Sequence, residues 1–414
     1  MRYKSQLLFA ALLALLADSA IAQDNKPTTS QTVGAGNATV LTPDGYTGPV
    51  NYVRTWEPLG RFTSANDVLA APHTHVRQST QYFDGLGRLL QTVQKQGSTT
   101  AKDVVSAVYY DHFGRESHQF LPYVDQNNNN GDFKTTPFSA QKSFYQNKQD
   151  ASGQPMHAGE QYFYNQTVFE SSPLSRPQES FAPGNSWAGT SALSNEQERR
   201  SVKMKYMVNN AEDGVRIWNI PTNALTYDAG GDVTTNIPSS PSAYAPGQLY
   251  KQVTLDEHGK AVVEYKDKEG RVVLKKVQIG TTVPSNYSGH DNFLCTYYIY
   301  DDLGQLRFVL PPKAVEAIKG NWLLGGQTDI IQELSFRYEY DERGRMKAKK
   351  VPGAGWVYMV YDVRDRLVFT QDANMRAKSQ WLATLYDGLN RPVLTGMMTL
   401  GGQTPAMLQT SVNT

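Results

Sequence analysis

The stretch Ser335–Gln371, SFRYEYDERGRMKAKKVPGAGWVYMVYDVRDRLVFTQ, contains the pattern that decides the fold. Asp341–Gly344 and Pro352–Gly355 supply turn residues between runs of strand-forming residues. Arg345–Val351 alternates apolar and basic residues, which predicts a strand with one wet face. Trp356–Tyr361 does not alternate, which predicts a strand covered on both faces. The stretch therefore predicts stacked antiparallel hairpins, each burying apolar surface against its neighbours.

The motif inside this stretch returns along the chain as an aromatic residue, Asp, two variable residues, Gly and Arg. Eight copies are present, and the looser ones replace the aromatic residue, the Gly or the Arg. Their turn residues are Asp84, Gly87 and Arg88; Asp111, Gly114 and Arg115; Asp256, Gly259 and Lys260; Asp267, Gly270 and Arg271; Asp301, Gly304 and Gln305; Asp341, Gly344 and Arg345; Asp362, Asp365 and Arg366; and Asp387, Asn390 and Arg391.

Each position of the motif has a mechanical reason. The Asp side chain accepts hydrogen bonds from backbone N–H groups two residues further on. Gly three residues later suits the left-handed conformation that closes a type I turn with a bulge. Its replacements, Asp365 and Asn390, are the non-Gly residues that best tolerate that conformation. We predict hairpin turns in which the Arg stem stacks across the hairpin on the ring that precedes the Asp.

The composition favours the same fold class, mainly β with very little helix. The chain has 24 Tyr against 15 Phe and 6 Trp, together with 33 Gly and 21 Pro, a mix of strand and turn formers. Charged residues make up 19% and the net charge is +1. This balance excludes a disordered polyelectrolyte and offers no general electrostatic attraction to nucleic acid or anionic membrane. The best helix candidate is Pro312–Gly320.

The first 22 residues read as a secretory signal peptide. A basic start precedes the apolar run Leu7–Ala17, and Ala20-Ile21-Ala22 gives the cleavage signature, so we expect cleavage after Ala22. The apolar run is too short to span a bilayer, and no later stretch approaches spanning length. We expect an exported mature chain without a membrane span, in the periplasm, at the cell surface or outside the cell.

Composition shifts divide the chain into six expected segments. They are a signal peptide (1–22), a flexible tether (23–47), an N-terminal β domain (48–123), a loop-rich polar insertion (124–199), a repeat β-ribbon (200–396) and an uncapped tail (397–414). The last repeat, Trp381–Leu394, has no successor, and the polar tail is not expected to pack. We therefore expect an unpaired apolar edge at residues 385–398 through which the chain self-associates.

Two places invite a metal hypothesis. His73 and His75 would lie on one face of a strand, but no third ligand stands nearby, so ordinary loop histidines are favoured. Asp125–Asp132 resembles a calcium loop, yet its Gly is one place late and no Glu closes it, which favours a polar linker. We predict no metal and no cofactor.

Catalytic signals are also weak. The repeat Asp residues are too regularly tied to Gly to be catalytic acids, and no nucleotide-binding or hydrolase motif is present. The single cysteine, Cys295, cannot form an intramolecular disulfide, and its apolar neighbours favour a buried inert thiol. Lys347, Lys349 and Lys350 are interpreted as a solvated strand face and not as a nucleic-acid patch.

The repeats resemble the tyrosine–aspartate (YD) repeats of bacterial RHS proteins and of teneurin shells. Lys349–Gly353, Val357–Gln371 and Trp381–Gly396 are similar to RHS proteins of the secreted bacterial type. Tyr52–Tyr123, which ends in Leu-Pro-Tyr, is similar to the N-terminal domain of unknown function that precedes such repeats. The resemblance implies a β-hairpin ribbon that spirals into a hollow shell, which in complete members encloses a C-terminal effector, often a toxin, released by autoproteolysis.

This sequence departs from that pattern, because neither a core segment nor an effector follows the last repeat. Eight copies are also too few for a closed shell. We expect the N-terminal part of a longer protein, one half of a split gene or a degenerate remnant, with a C-terminal effector segment or a downstream-encoded RHS portion as partner.

The leading hypothesis is therefore an exported, non-enzymatic structural scaffold of the polymorphic-toxin type. The alternative is a cell-surface adhesin or carbohydrate-binding repeat protein, whose exposed Trp and Tyr side chains would stack on a surface glycan. An enzyme would need a convergent polar pocket, which sequence alone does not reveal.

Overall fold

The structure is a computed structural model that describes residues 41, 43–157, 159–187, 200–227 and 233–413. The signal peptide, its cleavage after Ala22 and most of the tether lie outside the described residues. Within these ranges, no helix has both the length and the apolar character needed to cross a membrane. The chain divides into two compact units, Met1–Val202 and Lys203–Thr414.

The first unit is a small antiparallel β structure. Its strands are β1 (Asn51–Pro58), β2 (Val76–Phe83), β3 (Leu89–Lys95), β4 (Val104–Tyr109), β5 (His118–Phe120), β6 (Tyr123–Val124), β7 (Tyr164–Phe169) and β8 (Pro177–Phe181). β1 to β4 pair in sequence, β4 also pairs with β5 and β6, and β5–β7–β8 continue the ladder. Helix α1 (Ala65–Ala70) stands between β1 and β2, and α2 (Pro137–Gln146) follows β6.

The stretch 124–199 corrects the expectation of a loop-rich insertion, because it contains α2, β7 and β8. Phe138, Phe163 and Tyr164 are each 4% exposed there and fill the interior. The sequence concealed this because single aromatic residues separated by polar ones show no helical or strand period. Each still buries a large apolar area on folding.

The second unit is an antiparallel meander in which each strand pairs with the next along the chain. Its strands are β9 (Val202–Val208), β10 (Tyr250–Leu255), β11 (Ala261–Lys266), β12 (Val272–Gln278), β13 (Phe293–Tyr300), β14 (Leu306–Leu310), β15 (Phe336–Tyr340), β16 (Met346–Lys350), β17 (Val357–Tyr361), β18 (Leu367–Gln371), β19 (Gln380–Tyr386) and β20 (Pro392–Thr399). The predicted fold class, mainly β with antiparallel hairpins and little helix, is confirmed.

Helices in this unit are short. They are α3 (Pro312–Ile318), α4 (Ala373–Ala377) and α5 (Pro405–Val412), with a 3₁₀ turn at Ala211–Asp213 and a π turn at Ile330–Leu334. α3 falls within the helix predicted at Pro312–Gly320. Its Ala314, Val315 and Ile318 are buried against the main core, which explains why so short a helix forms.

The core of the second unit follows strand alternation. Tyr358 and Val360 of β17 are buried, as is Trp356 directly before the strand. The two residues between them are half-buried. This covers both faces, as the lack of alternation predicts. Trp381 of β19 is also fully buried, in the same cluster as Trp356.

The C-terminal tail packs, which corrects the expectation for residues 397–414. In α5, Leu408 is 6% exposed and joins the cluster around Trp356 and Trp381. The Gln409 side-chain amide accepts from the Tyr361 backbone N–H at 3.1 Å and donates to the Tyr361 carbonyl. Leu400 and Val412 pack against the same cluster, so the tail packs through three apolar residues and one side-chain amide that bonds to the strand backbone.

Candidate functional site: the repeat turns and their junctions

All eight motif copies form the same turn. In each copy the Asp carbonyl accepts from the N–H three residues on, and the Asp N–H donates to the carbonyl four residues on. The Asp Oδ1 atom also accepts from the backbone N–H groups two and four residues later, at 2.8–3.1 Å. A single carboxylate oxygen thus replaces the partner that the turn backbone lacks.

The fourth turn residue is left-handed in every copy. Its φ lies between +75° and +82° where it is Gly, and it is +61° at Asp365 and +63° at Asn390. The two exceptions also accept hydrogen bonds from the preceding repeat. Arg345 Nη1 donates to Asp365 Oδ1 at 2.7 Å, and Arg366 Nη1 donates to Asn390 Oδ1 at 3.2 Å. Asp365 and Asn390 therefore also bind their turns to the preceding repeat.

The motif arginine binds its own aspartate. In six copies Arg Nε donates to Asp Oδ2 at 2.7–2.9 Å; these arginines are Arg88, Arg115, Arg271, Arg345, Arg366 and Arg391. The backbone N–H of Arg88 and then its side chain lower the pKa of Asp84, and Arg391 lowers the pKa of Asp387 in the same way. These carboxylates stay ionised near neutral pH and do not supply protons.

The ring contact corrects the predicted stacking. Five of the six motif arginines lie over the ring of the next repeat and not over the ring that precedes their own Asp. The guanidinium carbon is 4.7–5.2 Å from that ring centre for Arg88 on Tyr110, Arg115 on Phe169, Arg271 on Tyr300, Arg345 on Tyr361 and Arg366 on Tyr386. In the turn the Asp341 N–H donates to the Arg345 carbonyl and Tyr340 pairs with Met346, so Arg345 lies opposite Asp341 and not opposite Tyr340.

The tyrosine of the next repeat completes the junction. Its hydroxyl donates to the carbonyl of the residue after the motif arginine, at 2.9–3.2 Å. The pairs are Tyr110 with Leu89, Tyr300 with Val272, Tyr361 with Met346 and Tyr386 with Leu367. We call this arrangement, an arginine held by its own Asp and covered by the next ring, the repeat clamp. It joins consecutive hairpins side chain to backbone.

One junction uses a substitute. Gln305 stands where the motif has Arg, and Arg307 takes over from two positions along the strand. Its guanidinium binds Asp301 Oδ2 at 3.3 Å, Glu339 Oε2 at 2.5 Å and the Tyr338 carbonyl at 3.0 Å. Arg307 is the extra residue of the β-bulge between β13 and β14, because Leu306 pairs with Tyr300 and Phe308 pairs with Ile299.

The structure contains two further turns that the motif search missed. Asp150–Gln154 repeats the hydrogen-bond pattern, with Gly153 at φ +81°, but lacks the aromatic residue and the Arg. Phe169 is followed by Glu170, which pairs with Arg176 at 2.8 Å across a loop two residues longer. The Arg176 side chain and then Ser172 lower the pKa of Glu170 to about 2. A search that allowed Glu and a longer loop would have found this copy.

The two places that invited a metal hypothesis lie in an exposed turn and beside a buried lysine. His73 and His75 are exposed in a turn before β2, not on a strand, and the part of the chain described here holds no group of three candidate ligands. At the loop that resembled a calcium site, Lys134 Nζ lies 2.8 Å from Asp103 Oδ2 and 3.2 Å from Asp125 Oδ2. A buried ammonium thus supplies the positive charge.

Lys350 and Cys295 are both buried. Lys350 is 3% exposed and donates to the Ala354 carbonyl, so it does not belong to the solvated face on which Lys349 is exposed. The strand alternation places it on the buried face with Ala348. Cys295 is 4% exposed, and burial raises the pKa of its thiol to about 11, so it stays neutral and inert.

The fold and the repeat clamp define a β-hairpin repeat protein. A family model described as "Domain of unknown function (DUF6443)" matches residues 54–201. The match continues past Tyr123, the expected end of the N-terminal domain, almost to the boundary between the two units at Val202. No match was found among curated proteins.

Several solved structures are similar. One is titled "Crystal Structure of TcdB2-TccC3 without hypervariable C-terminal region", with 16% identity and a TM-score of 0.47 over 80% of this chain. "Crystal Structure of TcdB2-TccC3-TEV" is similar at 17% identity and a TM-score of 0.47 over 81%. A Photorhabdus luminescens Tc holotoxin pore structure with a mutated TccC3 is similar at 16% identity and a TM-score of 0.47 over 80% of this chain. The chain spans 13% of the length of each.

Proposed function

We propose that this chain is an exported, non-enzymatic structural scaffold: a YD-repeat ribbon that forms part of an RHS-type shell. In full-length proteins of that type the shell encloses a C-terminal effector. The observation that carries the proposal is the repeat clamp, which recurs between consecutive hairpins in both units. Stacked hairpins require side chains that join one repeat to the next, because each repeat is stable only against its neighbours.

The state of the carboxylates supports a structural role. Oδ1 of each motif aspartate accepts from two backbone N–H groups. Oδ2 of seven of them accepts from an arginine side chain, which is the motif arginine in six copies and Arg307 at Asp301. A carboxylate held in this way has a lowered pKa, as at Asp84 and Asp387, and is a poor general acid or base near pH 7. The recurring polar residues therefore serve the turns.

Imaging tests the scaffold role. The product of the gene, expressed with its natural downstream sequence and with any separately encoded RHS portion, should form a hollow, ribbon-walled particle in cryo-electron microscopy. A glycan array probed with the chain itself should give no hits. Specific glycan binding without a hollow particle would favour the adhesin, whose candidate surface includes Tyr52 and Trp56 on β1, 59% and 37% exposed.

Export is tested separately. Intact-mass analysis of protein recovered from the periplasm or the medium should show a chain that begins at Gln23. A secreted chain that still carries residues 1–22 would contradict cleavage after Ala22, and a chain retained in the cytoplasm would contradict export.

A further inference from the structure

One amine and two carboxyl groups are buried together in the first unit. Lys134 Nζ lies 2.8 Å from Asp103 Oδ2 and 3.2 Å from Asp125 Oδ2. The side chain of Asp103 is fully buried, and those of Lys134 and Asp125 are each 8% exposed. A nitrogen that can act as a nucleophile, a carboxyl carbon and a second carboxylate are thus held together and away from water.

Backbone groups orient the carboxyl group of Asp103. The N–H of Gln96 donates to Asp103 Oδ1 at 3.0 Å, and the N–H of Gly131 donates to Asp103 Oδ2 at 2.8 Å. Asp125 accepts a backbone N–H at Oδ1 and presents Oδ2 to Lys134. A negative charge that develops on Asp103 Oδ1 would therefore already have a donor in place.

The surroundings of the three groups are apolar. The residues of the apolar cluster that stand within two positions of them in the sequence are Val105, Tyr123 and Phe133. Two carboxylates face one ammonium here, and burying charge is costly even when the charge is paired. Joining the ammonium to one carboxylate as an amide would replace two buried charges with one neutral group. Burial therefore favours the amide over the ion pair.

We propose that Lys134 and Asp103 form an intramolecular amide bond, between Nζ and Cγ, with Asp125 as the proton carrier. Asp125 Oδ2 takes a proton from the ammonium and passes it to Asp103 Oδ2, which leaves a neutral amine and a neutral acid. The nitrogen lone pair attacks Cγ, the N–C bond forms, and the Gln96 N–H stabilises the oxyanion on Oδ1.

The second half of the reaction releases water. Asp125 carries another proton from the nitrogen to Asp103 Oδ2, the Cγ–Oδ2 bond breaks, and Oδ2 leaves as a water molecule. An ammonium and a carboxylate thus become an amide and water, and Asp125 ends as the carboxylate it was at the start. The atoms and charges balance without any further reactant.

The amide joins residues that stand 31 positions apart in the sequence. Asp103 directly precedes β4, and Lys134 stands three residues before α2. The chain has a single cysteine and therefore no intramolecular disulfide. The amide acts as a disulfide would, because a covalent link restricts the unfolded chain and so stabilises the folded one. This role goes beyond the scaffold function and does not depend on it.

Two other buried lysines lack this arrangement. Lys251 is fully buried and lies 2.6 Å from Asp213 Oδ1, but no second carboxylate of the described residues is within ion-pairing distance. Lys276 is fully buried and donates to the backbone carbonyl groups of Tyr287 and Gly289. Neither lysine has a second carboxylate to move protons to a leaving oxygen, so both should stay unlinked.

Mass spectrometry under denaturing conditions distinguishes the amide from an ion pair, because only the amide survives unfolding. The whole chain should weigh one water molecule less than its sequence, counted from its observed first residue. Trypsin should release residues 103–115 joined to residues 116–142, since it does not cleave after an acylated Lys134. An ion pair alone would give three separate peptides, 103–115, 116–134 and 135–142.

Variants assign the three roles. Lys134→Arg keeps the positive charge without the amine, and Asp103→Ala removes the reacting carbon, so neither chain should lose water. Asp125→Asn keeps the shape of the side chain and should lower the linked fraction about tenfold or more, and Asp125→Glu should restore it. Lys148→Arg, at an exposed lysine of the same unit, should link as the wild type does. Circular dichroism checks that each variant is folded.

Three results would overturn the proposal: separate peptides from the folded wild-type chain, a link from Lys134 to Asp125 in place of Asp103, or full linkage in the Asp125→Asn chain. The wild-type peptide map decides the first two even where a variant does not fold.

Discussion

Two junctions of the second unit link adjacent hairpins by different means. At the junction between β16 and β17, Arg345 binds Asp341 and Asp365 at 2.7 Å and lies over Tyr361, with its side chain 15% exposed. At the junction between β14 and β15, Arg307 is 6% exposed and has two carboxylates, on Asp301 and Glu339, but no ring. The first junction uses an arginine covered by the next ring, and the second uses a buried ion pair. Loss of the arginine should therefore lower the free energy of unfolding far more at the second junction.

Removal of Arg307 should have the largest effect. Arg307→Met leaves Glu339 and Asp301 buried without their cation, and breaking such a pair costs about 3–5 kcal/mol. Burial raises the pKa of Glu339, which shows that its charge is already disfavoured. The urea midpoint of the second unit measures the loss. The double variant Arg307→Met/Glu339→Gln should recover part of it, and an unchanged midpoint for the single variant would disprove the comparison.

A substitution at Gly344 tests the turn that both junctions share. Gly344 has a φ of +75°, and a Cβ there would lie 3.2 Å from Gln305 Nε2. Gly344→Val should cost about 1–3 kcal/mol, since a β-branched residue is strained at positive φ. Gly344→Asn should cost much less, because Asn390 already adopts this conformation. Coincident denaturation midpoints for the two variants would refute the turn assignment.

A pair of arginine variants compares a covered motif arginine with an exposed one. Arg345→Ala removes a ring contact and the bonds to the next turn, so it should cost about 1 kcal/mol. Arg391→Ala removes a side chain that is 71% exposed and should change stability by less than about 0.5 kcal/mol. Thermal or urea unfolding of both variants measures the difference. Equal losses would mean that the ring and the next turn add nothing to the clamp.

The smallest effect is expected from pH. The folded-state pKa values of Asp84 and Asp387 lie below the ordinary value of 3.8, because their turns stabilise the ionised form. These carboxylates therefore stabilise the fold fully above the ordinary pKa, and this contribution is lost as pH falls through the folded pKa. Urea midpoints at pH 7 and pH 5 should show no loss from these groups, and midpoints near pH 3 should fall. Asp387→Asn should reduce the fall.

Short-range rules account for what the sequence predicted well. The turns, the strands on either side of them and the α3 helix depend on residues within a few positions of one another, such as Asp341 and Gly344. The replacement of the turn Gly by Asp365 or Asn390 can therefore be recognised from one sequence. The ring contact was predicted on the wrong hairpin, because Arg345 lies opposite Asp341 in its own turn and contacts Tyr361 of the next strand, and no local pattern reports that contact.

The sequence by itself determined the mainly β class, the repeated turn and the residues that build it, because one Asp and one left-handed residue satisfy a turn locally. Only the tertiary structure decided which ring covers which arginine, that Arg307 replaces Gln305, that Lys134 lies between Asp103 and Asp125, and that α5 packs back on β17. Each of these joins residues that are distant in sequence or out of simple register. Their free energy comes from burial and charge pairing that exist only once the strands have assembled.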